Sequence, residues 1–406
     1  MECNNCGKPK ARNGYKVNGD QRYKCTHCSV EKYDDNEMDI DMDEITDVNV
    51  KLHKKIQKLT DTQRIERKAV RDYVRQENAL VELNNELVKV ISDNSLSKVT
   101  KVRSAKRAKV TGIIQVTDVH FNELVHACGD GSNSYDFKVA AKRFKLYIDE
   151  SVRYLKFIGV KAVLLAFTGD LLTSDRRMDE ILHLATNRSK AIFLSVDILQ
   201  QVILDLNKEF NVTVAYVTGN EGRTHDDNSF SEIMASDNYD WVICNTLSLL
   251  FKGSKGVKFV TGHAKEVVVE VQGQNVLLIH GDSKSLKGAN TTRNVQNVIG
   301  KYASKGTQIS FVLLGHKHEV EIGPFFARGG SMVGANEYSD KDLQFISRAT
   351  QCIHTIDDVG HINSLKIDLQ NVDHIKGYNI DESLEEYNPQ AHKKLFKQTT
   401  IVKVVI

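Results

Sequence analysis

Proline is scarce in this chain: Pro9, Pro324 and Pro389 are the only three among 406 residues, which excludes a rigid proline-rich linker. No apolar run reaches the roughly eighteen residues that a membrane span needs. The opening Met-Glu-Cys-Asn-Asn-Cys has neither the basic region nor the apolar core of a secretory signal. An excess of one charge is also missing. The formal net charge is +2, so affinity for nucleic acid or an anionic membrane has to come from local patches. Cysteine is neither dense nor evenly spread. Four of the seven fall in the first 28 residues as two C-x-x-C pairs, while Cys128, Cys244 and Cys352 are scattered, unlike a secreted disulfide framework. The scattered thiols read as buried, inert side chains. A reducing cytoplasm is the expected compartment, with no membrane partner.

What is present divides into six segments. Residues 1–33 hold the paired cysteines. Residues 34–50 form an acidic linker, with seven acids in the eleven positions from 34 to 44, a composition that solvates itself and builds no core. Residues 51–95 read as a helical segment. Leu52, Ile56, Leu59, Ile65, Ala69, Tyr73, Leu80, Leu83, Leu87 and Val90 recur at helical spacing, opposite a basic face of Arg64, Arg67, Lys68, Arg71 and Arg75. That basic face is a solvated surface, one side of a helical pair that makes the chain a homodimer or joins it to a protein partner, or a nucleic-acid contact. Residues 96–110 are a basic linker. From 111 to 370 short apolar runs alternate with helical stretches near 137–158, 178–207 and 288–304, the alternation of an α/β sandwich. The final stretch, 371–406, is a polar tail ending in the strand-like TTIVKVVI.

Cys3-x-x-Cys6 and Cys25-x-x-Cys28 stand eighteen residues apart, the spacing of two knuckles that close on one tetrahedral structural zinc. A redox C-x-x-C would need a βαβ context that is absent here, and His27 reads as a solvent-facing neighbour. Residues 12–28 resemble the zinc ribbons at the front of some transposases. Arg12, Lys16, Arg22, Tyr23 and Lys24 supply the charge and stacking surface for nucleic acid. Zinc ribbons also serve as protein-binding modules.

Each of the strand-like apolar runs singled out in the fifth and largest segment ends in metal-ligand residue types: Asp118-Val-His120, Gly169-Asp170, Gly219-Asn220-Glu221, His280-Gly281-Asp282 and Gly315-His316-Lys317-His318. One such motif is usually coincidence. Five in order, each directly after a strand candidate, converge on one sheet edge, where α/β folds place their sites. Asp118, His120, Asp170, Asn220, His280, His316 and His318 are therefore the candidate metal ligands. Carboxylate, amide and imidazole suit manganese first, and iron or zinc as well, because no thiolate selects zinc alone.

The order D-x-H, G-D, G-N, H, G-H-x-H resembles the calcineurin-like metallophosphoesterase superfamily over about 260 residues, with GGSMVG at 329–334 placed where members carry a glycine-serine strand. The resemblance implies a four-layer αββα sandwich and two active-site metal ions. By motif position Asp118, His120 and His318 bind the first ion, Asn220, His280 and His316 the second, and Asp170 bridges them. Asp282 is either a partner orienting an imidazole or an ordinary turn aspartate. Arg223 is either a phosphate contact or a loop arginine.

One position departs from the pattern. The family's histidine after the asparagine, which helps protonate the leaving group, is Glu221 here. A carboxylate beside two cations is expected to stay ionised and so cannot donate a proton. Either its pKa is nonetheless raised, or another residue takes that part, with His225 and His126 the nearest in sequence unless they are surface histidines, or the leaving group needs little help. Within the superfamily the chain looks closest to the DNA-repair exonucleases and to similar proteins of large bacteriophages. The expected activity is hydrolysis of nucleic-acid phosphodiesters, DNA above all, with catalysis resting on Asp170, Asn220, Glu221 and His225. The rivals are a protein or small-nucleotide phosphoesterase whose ribbon recruits a protein, and a nucleic-acid-binding protein that keeps the metals without turnover.

Overall fold

The structure is a computed structural model. It describes residues 3, 6–15, 21–25, 27–28, 50–62, 64, 67, 109–128, 133–225, 231–286, 290–336 and 347–386. The chain divides into two compact units, Met1–Asn78 and Ala79–Ile406.

In the first unit, β1 (Ala11–Tyr15) and β2 (Gln21–Lys24) pair antiparallel, Arg12 opposite Tyr23. Ahead of them Gly7 turns the chain with φ +68°, which lets its N–H donate to the Cys3 carbonyl at 2.8 Å. Residues 50–62 form α1, on which Leu52, Ile56 and Leu59 are exposed. The acidic linker up to 49, the rest of the expected helical segment apart from residues 64 and 67, and the basic linker up to 108 lie outside the described residues.

The second unit is built on two sheets. Its elements, in order, are β3 (Val110–Val116), β4 (Val125–Cys128), β5 (Asn133–Tyr135), α2 (Phe137–Phe157), β6 (Ala162–Phe167), α3 (Met178–Leu182), α4 (Arg188–Glu209), β7 (Asn211–Tyr216), α5 (Glu232–Ala235), α6 (Tyr239–Leu250), β8 (Val257–Val260), β9 (Glu266–Val271), β10 (Gln274–Ile279), α7 (Thr291–Ala303), β11 (Phe311–Leu314), β12 (Glu321–Ile322), β13 (Phe326–Arg328), β14 (Thr350–Asp357), β15 (Ile362–Asp368) and α8 (Asp381–Glu386). One sheet runs β15-β14-β3-β6-β7-β8 and the other β12-β13-β11-β10-β9, while β4 and β5 pair separately. The central strands β3, β6, β7 and β8 are parallel, as are β10, β11 and β13.

The apolar runs are continuous because both faces of these strands are covered. Val163, Leu165 and Phe167 of β6 enter the core shared with α2, α4 and α6, while Leu164 and Ala166 enter a second core between the sheets. Val276 and Leu278 of β10 share that inter-sheet core, and Leu277 and Ile279 face a third core that includes Val295 of α7. Three apolar layers separate four structural layers, so the architecture is the αββα sandwich. Beyond residue 370 the chain stays on this body: Tyr378 and Ile380 are buried in the first core. Residues 387–406, with the strand-like TTIVKVVI, lie outside the described residues.

Strands β4, β5, β8, β9 and β12 to β15 lie beyond the five strand-like runs that precede the ligand motifs, and the structure differs from the expected elements in three further ways. The single helix expected over 178–207 is two, because residues between α3 and α4 pair elsewhere: His183 O accepts from Leu124 N–H, Ala185 N–H donates to Asn122 O, and Asn187 then caps α4 by accepting from Lys190 N–H at 3.0 Å. An unexpected helix, α6, follows Asn238, whose side chain caps it, and buries Ile243, Cys244, Leu247 and Leu250 at helical spacing. The segment 329–334 is not a strand. Its carbonyls at Met332 and Val333 accept from the buried Arg143 guanidinium at 2.6 and 2.8 Å instead of from a ladder. No helix among the described residues is long and apolar enough to cross a membrane. Cys244 and Cys352 are buried, and burial pushes the Cys352 thiol up to about 12.

Candidate metal centre

The parallel strands of both sheets end at one edge. Asp118 and His120 follow β3, Asp170 follows β6 and Asn220 follows β7 in the first sheet. From the second sheet His280 follows β10, while His316 and His318 follow β11. These loops carry strained backbone. Six non-glycine residues among those described have positive φ: Asp118, His120, Asp170, His316, His318 and Gln272. Five of the six are candidate ligands, and an L-residue held there costs about 1–3 kcal/mol. The glycines of the motifs allow the loops to meet: a Cβ on Gly219 would fall on the Asp170 carboxylate, and one on Gly315 would fall on Thr117 and Asp118.

Two three-residue sets result, Asp118 with His120 and His318, and Asp170 with His280 and His316, the ligand atoms of each within 4.8 Å of one another. In the first, the Nε2 atoms of His120 and His318 lie 3.2 Å apart, and His318 Nε2 is 3.4 Å from Asp118 Oδ1. The Asp118 carboxylate is held by Thr117 Oγ1, which donates to Oδ2 at 2.6 Å, and by the His316 N–H at 3.0 and 3.1 Å. In the second, His280 Nδ1 lies 2.8 Å from the Thr168 carbonyl, which can only accept, so Nδ1 carries the proton. Its Nε2 then faces two oxygens, Asp170 Oδ2 at 2.9 Å and Asn220 Oδ1 at 3.1 Å.

That geometry tests the fit of a metal ion. A neutral imidazole here would set a lone pair against two further acceptors, so a cation has to lie among the three atoms. With a proton as that cation, His280 is pushed up to about 10: burial opposes the charged ring, and the Asp170 carboxylate outweighs it. Asp170 is lowered in turn, burial again being overcome by His280. Asp118 is lowered by its bond to His318 despite burial, and His318 is raised by Asp118. His316 is pulled down to about 4 by burial and by the charge on His280. The donor sets suit a hard or intermediate divalent cation in place of the protons.

Asn220 brings its amide oxygen to the second set. Asp170 falls with that set, and its Oδ1 accepts the Glu221 N–H at 2.8 Å. Glu221 is half-buried, and its carboxyl is raised by burial and then by the Asp170 charge, in the direction of one of the alternatives the sequence leaves open. The other candidates lie outside both sets. His225 Nε2 pairs with Asp237 Oδ2 at 2.8 Å, and His126 is an exposed residue of β4. Arg223 Nε donates to the His225 carbonyl at 2.9 Å, and Asp282 Oδ2 stands 3.5 Å from Lys265 Nζ.

Three residues that motif reading passes over hold the loops. Asp240, buried in the first turn of α6, accepts on Oδ2 from Asp170 N–H and Gly219 N–H at 2.9 and 2.8 Å, and on Oδ1 from Leu171 N–H at 2.9 Å. Burial and the neighbouring Asp170 push its carboxyl up to about 6. Gln351 imitates a strand at the end of β3, accepting from Thr117 N–H at 3.1 Å and donating to Thr117 O at 2.9 Å. Gln115 Nε2 donates to Leu314 O at 2.9 Å and so ties one sheet to the other.

In the first unit the four cysteine sulfurs also lie within 4.8 Å of one another, Cys3 to Cys28 at 3.8 Å and Cys6 to Cys25 at 3.6 Å. A tetrahedral ion with bonds of about 2.3 Å separates its sulfurs by roughly 3.8 Å, so the cluster fits one metal. His27 is exposed and 2.9 Å from Lys8 Nζ, outside the cluster. Arg12, Arg22, Tyr23 and Lys24 belong to the hairpin, with Lys24 exposed, and Lys16 lies outside the described residues.

Fold and site together define a class, an α/β sandwich with paired metal-ligand sets at the carboxyl ends of its strands. No family model matches the sequence. No curated protein matches it either. Among solved structures it is similar to Vps29 from Entamoeba histolytica complexed with zinc, at 12% identity over 64% of this chain and 99% of that one, TM-score 0.29. Vps29 from Cryptosporidium parvum gives 12% identity over 64% and 98%, TM-score 0.29. The sulfate thiohydrolase SoxB from Thermus thermophilus gives 10% identity over 73% and 62%, TM-score 0.32.

Proposed function

We propose that this chain is a two-metal phosphodiesterase that cleaves nucleic acid, DNA above all, as a nuclease. The observation that carries the reading is the pairing of two acid–imidazole sets on one strand edge, with His280 Nε2 turned onto two acceptor oxygens. Asp118, His120 and His318 hold one ion, and Asp170, Asn220, His280 and His316 the other. When bound, two such ions supply charge stabilisation for the attacking and leaving oxygens of a phosphoryl transfer. The protein's own part is orientation. The Thr168 carbonyl fixes the His280 tautomer, Thr117 and the His316 N–H fix the Asp118 carboxylate, and Asp240 holds the Asp170 and Gly219 turns together. The cysteine cluster suits a structural zinc, since four thiolates select a soft ion. Its hairpin, with the basic helix face and basic linker of the sequence, supplies the affinity for polynucleotide that the catalytic unit does not need for chemistry.

The test is the full chain with manganese against linear single- and double-stranded DNA, RNA and a p-nitrophenyl phosphodiester. Metal-dependent degradation of DNA ahead of the other substrates is expected. Turnover of the small diester alone would move the reading to a small-molecule or protein phosphoesterase. Two bound ions with no turnover of any substrate would leave a nucleic-acid-binding protein.

A further inference from the structure

Glu221 stands directly beside a candidate ligand, and its side chain is engaged with that ligand's amide. Asn220 Nδ2 donates to Glu221 Oε1 at 2.5 Å, while Asn220 Oδ1 faces His280 Nε2 at 3.1 Å. Glu221 Oε2 accepts the N–H of the buried Ser174 at 3.3 Å. An asparagine side chain has two ends of nearly equal size, and only the oxygen ligates a metal ion. Both Glu221 oxygens act as acceptors, Oε1 toward the amide and Oε2 toward a backbone N–H, so the end of the amide that Oε1 holds is the NH2. The opposite end, turned to His280 and Asp170, is then the oxygen.

Resting on the two-metal reading, we propose that Glu221 is a positioning residue. Its carboxylate locks the Asn220 amide with Oδ1 toward the second metal set. A side chain that could present a donor here would let the amide rotate and offer NH2 to the cation.

The backbone of the loop is held by other groups. Arg176 Nη1 donates to the carbonyls of Asn220, Glu221 and Arg223 at 3.4, 3.2 and 2.9 Å. Asn238 Nδ2 donates to Gly219 O at 3.0 Å. Removing the Glu221 side chain therefore leaves the turn in place and acts on the amide. The Glu221 N–H bond to Asp170 is a backbone bond and survives the substitution.

The experiment is a calorimetric titration of manganese(II) into the metal-stripped full chain, for wild type, Glu221→Ala, Asn220→Asp and the double variant. Manganese favours oxygen and imidazole over thiolate, so the cysteine cluster stays out of the isotherm. In Glu221→Ala one of two sites should weaken by about 10–100-fold, the usual cost of losing a partner that orients a ligand. The other site should hold its affinity, which also reports that the variant is folded. In the Asn220→Asp background both outer atoms are oxygens and rotation has no consequence. There Glu221→Ala should leave the second site unchanged or tighten it, by relief of repulsion between two carboxylates. Unaltered binding in Glu221→Ala, or an equal loss in both backgrounds, overturns the positioning role. A wild-type chain that takes up fewer than two ions overturns the two-metal reading itself, and the two failures are told apart in one data set.

Discussion

Asp240→Asn tests the claim that one buried carboxylate spaces two ligand loops. The side chain accepts three backbone N–H groups, two on Oδ2 from Asp170 and Gly219 and one on Oδ1 from Leu171. Asparagine keeps the shape and turns one of the two oxygens into a donor. Its best placement keeps the oxygen on Asp170 and Gly219 and aims the new NH2 at the Leu171 N–H. Two buried donors, the Leu171 N–H and the new NH2, are then left unpaired, at about 1–3 kcal/mol each. Asp240→Ala orphans all three donors, on the order of 3–9 kcal/mol if the turns stay put, and less as they relax. Relaxation matters for function. Asp170 sits at φ +55°, a conformation worth about 1–3 kcal/mol of strain, and its N–H bond to Asp240 is part of what holds it there. Urea unfolding of the metal-stripped full chain measures the first effect. Manganese titration measures the second, with a loss of about 10–100-fold expected at the Asp170 set and none at the Asp118 set. The reasoning fails if Asp240→Asn binds both ions like wild type and unfolds within about 0.5 kcal/mol of it, the range of an ordinary surface change.

Asp170→Asn removes the carboxylate oxygen that faces His280 and should abolish hydrolysis while the melting curve stays cooperative; full activity in a folded variant would remove the two-metal assignment. His354 is buried and held down to about 3 by burial, with Nδ1 2.7 Å from Ser364 Oγ and Nε2 3.1 Å from Gln115 Oε1. The unfolded chain takes up that proton near pH 6.5 and the folded chain does not, so its share of stability is whole above 6.5 and falls with pH, by about 2 kcal/mol at pH 5. His354→Gln should remove that share, and urea unfolding at pH 7 and pH 5 with identical losses in both proteins would contradict it. Replacing Arg12, Lys16, Arg22 and Lys24 by alanine should leave hydrolysis of a small diester alone and make the salt dependence of polynucleotide binding shallower by about 0.7–0.9 per lost phosphate contact; an unchanged slope would favour a protein as the ribbon's partner.

The ligand set is legible in the sequence because two independent signals coincide at each ligand. An apolar run of strand length ends in a glycine or a turn, and the next residue is one that binds metals. The cysteine pairs are legible for the same reason, spacing joined to chemistry. Asp240 has no such signal. An aspartate in the first turn of a helix is an ordinary residue there, and nothing in NYDW says that its carboxylate reaches back to three amides of other loops. Gln115 and Gln351 are equally silent, since a glutamine within a strand reads as solvent-facing until both faces are known to be covered. The break between α3 and α4 escapes periodicity because residues 183–185 give their backbone groups to the segment 122–124, a long-range pairing that no local window contains.

These omissions share a cause. Asp118, His120, Asp170, His316 and His318 occupy backbone conformations that aspartate and histidine rarely choose. Local preference therefore opposes the site at the residues that form it, and something else must hold them there. The Asp118 N–H donates to Gly169 O, the Val119 and His120 N–H groups to Asp170 O, and the Met332 N–H to Asp118 O. Each of these bonds joins one ligand loop to another loop at the same edge, so the strained turns support one another. A residue such as Asp240 or Gln351 adds to that lattice from outside the motifs. It follows that the ligand positions should be sensitive to substitutions that touch no ligand, and that their sensitivity should follow the count of buried backbone groups a side chain satisfies. Asp240 and Gln351 are strong cases with three each, Gln351 through Thr117 N–H, Thr117 O and Gly330 O.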